Sequence, residues 1–336
     1  MKLYDDNGYL DFERLARRST PFNFIIGGRG TGKTYGALKY AAEHYEQTGR
    51  KFILMRRTQT QLDKIANAAF NPFKSIRPDY FMKTIVKNVY GIYKDGEELP
   101  AGYGVALSTI SSLRGFDASD VDIIIYDEFI GEKHERPIKA EGDALLNAYE
   151  TINRNREING AQPVKLFALA NSNDLANPVF MNLKMITAAE NMKRKGAEFY
   201  EDLKRGFSLY LLNKSPVSQK KKQTALYKMA DGSEFEAMAL DNEFAADEMA
   251  NIKSQDLRQY RLLCSCGEIS IYKHKADNKY YIAPATSASG IEYAASDMDL
   301  RRFRREKYYL WLAYLNNVIT FESYTQKVLF ERYFNY

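Results

Sequence analysis

Two cysteines, three histidines and a single tryptophan are all that 336 residues carry of those types. So few cysteines exclude a disulfide framework, and with only His44, His134 and His274 beside Cys264 and Cys266 a structural zinc site is hard to assemble. Long hydrophobic runs are missing too. No stretch approaches the roughly 18 uninterrupted apolar residues of a membrane span, and the opening MKLYDDNGYLDFERL lacks the apolar core of a signal peptide. The expectation is a soluble chain of the reducing cytoplasm with no membrane partner. What is present is apolar content of 45%, enough to bury a core in one large domain or two ordinary ones.

Charge is mild overall, +5, but unevenly placed. Residues 192–228 hold ten Lys and Arg against three acids, and 301-RRFRREK-307 adds a second basic cluster. Such runs are either solvated faces or contacts for a polyanion such as nucleic acid.

Along the chain, FNFIIG (22–27), KFILMRR (51–57), VDIIIYDEF (121–129) and VKLFALAN (164–171) read as buried strands. Helical patterns at 33–48, 59–70 and 142–157 alternate with them, and 83–107 reads as short strands with a turn at Asp95-Gly96. Apolar strands alternating with helices predict an α/β fold with a parallel sheet covered on both faces. The Pro, Ser and lysine run 214-KSPVSQKKKQT-224 signals a linker. The division expected is a first domain over 1–205, a linker over 206–225 and a smaller α+β domain over 226–336, with an antiparallel meander at 261–284 and terminal helices.

The most specific motif is Gly27-Gly28-Arg29-Gly30-Thr31-Gly32-Lys33-Thr34, a match to G-x-x-x-x-G-K-[ST] lying after a buried strand and opening a helix. Glycines let the backbone wrap phosphate oxygens, so that successive N–H groups and the helix N-terminus face negative charge. Lys33 is placed to reach the β- and γ-phosphates and the Thr34 hydroxyl to ligate Mg²⁺. A triphosphate site also needs a carboxylate for the Mg²⁺ shell and a group that orients water. IIIYDEF offers both at a strand end: Asp127 for the metal, and Glu128 as the base of a glutamate-type P-loop ATPase. With no N-K-x-D element for guanine, and a chain too long and too basic in its second half for a small-molecule kinase, ATP is the expected nucleotide.

Leu145, Tyr149 and Ile152 follow i, i+4, i+7 spacing and predict a core-facing helix stripe, leaving Arg154 pointing outward. It is either a solvated helix arginine or a finger that enters a neighbouring subunit's site; Arg156 falls back toward the core stripe. The loop 131-GEKHERPIKAE-141 follows the acids directly, and Lys133, Arg136 and Lys139 are candidates for sequence-independent DNA phosphate contacts, against an ordinary charged loop. Cys264 and Cys266 read as small buried side chains.

Taken together, FIIGGRGTGKTYG, FILMRR, IIIYDEFI, INRNRE, ALANSN and 230-ADGSEFEAMALDNEF-244 resemble the DNA-packaging ATPases, or encapsidation proteins, of small tailed phages of the small-podovirus type. The resemblance runs from about residue 20 to the C-terminus. It implies an N-terminal glutamate-type (ASCE) P-loop domain and a C-terminal domain resembling a ribonuclease H-like fold that has lost catalysis; the absence of Asp from LLCSCG agrees with that loss. It also implies a homo-oligomeric ring, taken to be five subunits, docked on the portal of a procapsid in the infected host's cytoplasm. Such a ring drives double-stranded DNA inward, in some cases with a scaffold RNA. By the same resemblance Arg154 is the trans-acting arginine finger, Arg29 lies near the γ-phosphate and Asn171 is a γ-phosphate sensor. Gln59 departs from the pattern, where a lysine can stand. A terminase-like enzyme that still cuts DNA and a nucleotide-switched scaffold are the alternatives.

Overall fold

The structure is a computed structural model that describes residues 2–18, 20–113, 115–131, 135, 138, 140–171, 175, 177–212, 215–231, 251–286 and 290–335. It forms two compact units, Met1–Asn182 with Asn191–Asn242 and Leu183–Glu190 with Glu243–Tyr336. The helices are α1 (Phe12–Ala16), α2 (Lys33–Thr48), α3 (Gln59–Ala66), α4 (Glu141–Asn153), α5 (Pro178–Asn182), α6 (Ile186–Lys195), α7 (Pro216–Lys221), α8 (Ala225–Met229), α9 (Asp297–Glu306), α10 (Tyr308–Leu315) and α11 (Tyr324–Asn335).

The first unit holds β1 (Phe22–Gly27), β2 (Lys51–Arg56), β3 (Tyr80–Val86), β4 (Val89–Lys94), β5 (Gly102–Ala106), β6 (Val121–Asp127), β7 (Lys165–Ala170), β8 (Phe199–Asp202) and β9 (Phe207–Leu212) in one sheet. Its order is β3-β4-β5-β2-β6-β7-β1-β9-β8. The run from β5 to β9 is parallel throughout, and β4 and β8 join it antiparallel. Side chains alternate across the pleat, and both faces are buried, which is why these strands read as unbroken apolar runs. Ile25, Leu54, Ile125 and Leu169 pack with Ala37, Leu38 and Ala41 of α2 on one face. On the other, Phe24 meets Phe129 and Phe180 edge-on at 5.8 and 5.6 Å. Leu145, Tyr149 and Ile152 of α4 are buried as their spacing predicts.

Two expectations are corrected. Phe207–Leu212, assigned to a linker beginning at 206, is a fully buried strand paired with β1. The flanking Lys204 and Arg205 mark a turn, and five of the six residues of Phe207–Leu212 are apolar and belong in the sheet. Residues 216–221 of the same stretch are helical, with Pro216 in the first turn. Helix α4 stops at Asn153 rather than 157, because the Asn153 carboxamide turns to accept the Val164 N–H at 2.9 Å and Arg154 takes φ +49°.

The second unit carries β10 (Tyr260–Cys266), β11 (Ile269–His274), β12 (Tyr280–Pro284), β13 (Ile291–Tyr293) and β14 (Ile319–Phe321) in the order β13-β10-β11-β12-β14. The β10-β11-β12 meander is antiparallel, whereas β13 and β14 pair in parallel on its two edges. An aromatic cluster joins α9, α10 and α11: Phe334 lies 5.0 Å from Phe303, 5.5 Å from Trp311 and 4.8 Å from Phe330 between ring centroids. Cys264 and Cys266 are free and buried, and burial pushes the Cys264 thiol up to about 11. In the 301–307 cluster, Arg304 donates to the Tyr333 carbonyl at 2.9 Å and Arg302 to Glu306 at 2.9 Å. The segment 230-ADGSEFEAMALDNEF-244 lies, from residue 232 on, outside the described residues.

Candidate functional site

The glycine loop joins the carboxyl end of β1 to the first turn of α2. Its path demands glycine: Gly30 and Gly32 have φ of +74° and +89°. A β-carbon on Gly27 would come within 2.6 Å of the Leu212 side chain on β9. Thr31 is buried and donates to the Gly28 carbonyl at 3.1 Å. Lys33 is buried beneath the loop, its ammonium donating to the Gly27 and Gly28 carbonyls at 2.8 and 2.9 Å and to Thr31 Oγ1 at 3.2 Å. Burial pushes the Lys33 ammonium down to about 7, the Asp127 carboxylate pulls the other way, and Lys221 adds to the fall.

The acids arrive from β6, with β7 standing between it and β1. Asp127 ends β6, buried, and accepts from the Thr34 hydroxyl at 3.0 Å, so loop and carboxylate share one edge of the sheet. Glu128 follows at φ +59°, a conformation uncommon outside glycine, which turns it off the strand line. Arg56 at the end of neighbouring β2 binds both acids, at 3.0 Å to Asp127 and 2.7 Å to Glu128. The next residue, Arg57, is buried and pairs with Glu141 at 2.7 Å and Glu135 at 2.5 Å; the Tyr126 hydroxyl also donates to Glu141, at 3.1 Å.

Of the other residues singled out in the sequence, Gly28 and Arg29 lie in the loop, Arg29 exposed. Asn171 is exposed directly beyond β7, at the edge between loop and acids. Lys133, Arg136 and Lys139 lie outside the described residues. Arg154 is not brought to this edge. It sits at the amino end of the sheet, donating to the Phe116 carbonyl at 2.6 Å, and it lines a cleft of about 810 Å³ with Tyr40, His44, Arg50, Asp122 and Arg156. Seven residues of β6 separate the two edges, about 20 Å at strand rise. Arg156 binds the Ala118 carbonyl at 2.7 Å and Asp122 at 3.4 Å, as a structural residue.

Sequence reading assigned no role to Arg56, Arg57 or Lys221. The arginine pair was visible at a strand end, but its partners depend on β2 lying beside β6, and Lys221 stood hidden in a lysine run.

Fold and site together define a mixed α/β protein on a parallel-rich sheet, with a glycine loop and two carboxylates at its carboxyl edge. The same architecture occurs in a solved structure described as the bacteriophage Phi-29 viral genome packaging motor assembly, at TM-score 0.66 and 23% identity over 97% of this chain and 98% of that one. It recurs in the Phi-28 gp11 DNA packaging motor, at TM-score 0.60 and 17% identity over 98% and 97%. By sequence, the DNA packaging protein of Bacillus phage phi29 is 30% identical over 253 residues, 75% of this chain and 69% of that protein. The podovirus DNA encapsidation protein (Gp16) model matches residues 4–282, and the chain belongs to that family.

Proposed function

We propose that this chain is an ATP-driven translocase that moves double-stranded DNA into a procapsid through its portal, working as a ring in the infected host's cytoplasm. The observation that carries the reading is the split site: Thr34 and Asp127 meet at 3.0 Å on one edge, while Arg154 stands at the opposite edge of the same sheet. An arginine there cannot reach its own loop, which supports a role at a neighbour's, where a finger neutralises charge on the transferred phosphoryl group. A pentamer on the portal, with or without a scaffold RNA, is the assembly the family resemblance favours.

In the proposed site the loop N–H groups and Lys33 hold the triphosphate, with Arg29 and Asn171 near its terminal phosphate. The Thr34 hydroxyl and Asp127 are hard oxygen donors of the kind Mg²⁺ accepts beside phosphate oxygens. When bound, the ion would neutralise phosphate charge. Glu128 orients the attacking water, and for that its carboxylate must exchange the Arg56 guanidinium for the water's proton. Lys133, Arg136 and Lys139 are the DNA contacts of this reading, on a segment whose Glu135 is tied to Arg57. The second unit serves as a nuclease-like domain without catalysis.

The test is ATP hydrolysis with and without double-stranded DNA, on the intact chain, on Arg154→Ala, and on Arg154→Ala mixed with Glu128→Gln subunits. We expect Arg154→Ala to lose about 10³-fold or more and the mixture to recover part of it. Normal hydrolysis by Arg154→Ala, unaffected by DNA, would overturn the motor reading.

A further inference from the structure

The segment after β9 turns back onto the glycine loop. The last residue of β9, Leu212, pairs with Gly27 where the loop begins. The chain then forms α7, whose Pro216 Cβ lies 2.9 Å from where a β-carbon on Gly8 would stand. Lys220 fixes the far end of α7 by donating to the Asn7 carbonyl at 3.0 Å. Its neighbour Lys221 reaches the other way, over Gly30, and donates to the Arg29 carbonyl.

Lys33 and Lys221 therefore approach one loop from two sides. Among the described residues neither has a carboxylate within ion-pairing distance; their ammonium groups rest on neutral loop oxygens. Burial lowers the pKa of each, and Lys221 lowers that of Lys33 further. Two cations held against carbonyls in half-buried surroundings complement a polyanion, because phosphate oxygens are stronger acceptors for ammonium than amide oxygens. Position fixes which part of the ligand Lys221 meets. The helix N-terminus at Gly32–Thr34 takes the inner phosphates, whereas Arg29 and Gly30 belong to the outer half of the loop.

We propose that Lys221 is a second phosphate-binding lysine of the nucleotide site, whose ammonium exchanges the Arg29 carbonyl for an oxygen of the terminal phosphate when a nucleoside triphosphate binds. The inference rests on the nucleotide-site reading above and adds a residue that no loop motif contains.

The experiment measures the affinities of the full chain for a non-hydrolysable ATP analogue and for ADP, each with Mg²⁺, by calorimetry. The proteins are wild type, Lys221→Ala, Lys221→Arg and Lys220→Ala, each with its melting temperature recorded. We expect Lys221→Ala to weaken the triphosphate about tenfold and the diphosphate less than threefold, with Lys221→Arg and Lys220→Ala near wild type. An unchanged triphosphate affinity in Lys221→Ala overturns this inference alone and leaves the nucleotide site standing. Equal losses for triphosphate and diphosphate, or the same loss in Lys220→Ala, also overturn it, since they mark a structural support of the loop. A wild-type chain that binds neither nucleotide removes the nucleotide-site reading and this inference with it.

Discussion

The two edges of the large sheet handle charge in opposite ways. At the amino edge, Asp122 gathers three neighbouring side chains: Arg50 at 2.7 Å, His44 at 3.3 Å and Arg156 at 3.4 Å. Arg154 stands outside that cluster, on a backbone carbonyl. At the carboxyl edge the acids are claimed by Arg56 and Arg57, and Lys33 and Lys221 are left on neutral oxygens. Among the described residues, the amino edge thus pairs Asp122 with its neighbours and leaves Arg154 outside, whereas the carboxyl edge holds Lys33 and Lys221 against a glycine loop. On the proposed reading each edge is half of a reaction site, and only two copies of the chain bring the halves together.

The comparison breaks most visibly at Glu128. Glu128→Gln keeps an acceptor for Arg56 but removes the base, so turnover should fall about 10²- to 10⁴-fold with nucleotide affinity held within about threefold. Steady-state hydrolysis and equilibrium binding on the same preparation separate the two. If affinity falls together with turnover, the Arg56 pairing with Glu128 is a structural tie and the base lies elsewhere.

Stability sharpens the contrast next. Arg57→Ala strands the carboxylate of Glu141, which is 1% exposed, and should cost about 3–5 kcal/mol in a urea titration. Arg57→Lys should recover only part, because one ammonium cannot replace the fork that meets Glu141 through both Nε and Nη2.

Binding against pH probes the loop lysines. The Lys33 ammonium is pushed down to about 7 by burial, and a bound polyphosphate must raise it again. The protonated form binds, so affinity is highest below pH 7 and falls as pH rises through and beyond it, by roughly tenfold or more between pH 7 and 9. Lys33→Arg stays charged across that range and should give a flat profile. A flat wild-type profile would mean that Lys33 is already fully charged in the free protein.

What the sequence disclosed follows how local each feature is. The glycine loop, the acidic pair and the strands carrying them are contiguous motifs, and the structure brings Thr34 and Asp127 within 3.0 Å of each other. Arg56 and Arg57 were visible as a pair, but their grip on four carboxylates follows from the neighbour relation of β2 and β6, which strand periodicity does not encode. Lys221 reaches a loop 192 residues upstream, a contact that a lysine run read by composition turns into a linker. β9 was misplaced for the same reason: basic residues at both ends outweighed five apolar ones between them.

The smallest effect belongs to the amino edge, where the charges satisfy one another in partial contact with solvent. Burial pushes the Asp122 carboxyl up, but hydrogen bonds from His44 and Arg50 outweigh it and hold the group well below the usual carboxylate range. A carboxylate so depressed contributes stability above its unfolded pKa and loses it as pH falls through the folded value. The gap between wild type and Asp122→Asn should therefore close as pH falls below about 4. Arg50→Ala leaves His44 and Arg156 on Asp122 and should cost about 0–1 kcal/mol, against several for Arg57→Ala at the other edge. Comparable costs at the two edges would mean that Asp122 is as isolated from water as Glu141. The asymmetry that leaves Arg154 outside the Asp122 cluster would then need another cause.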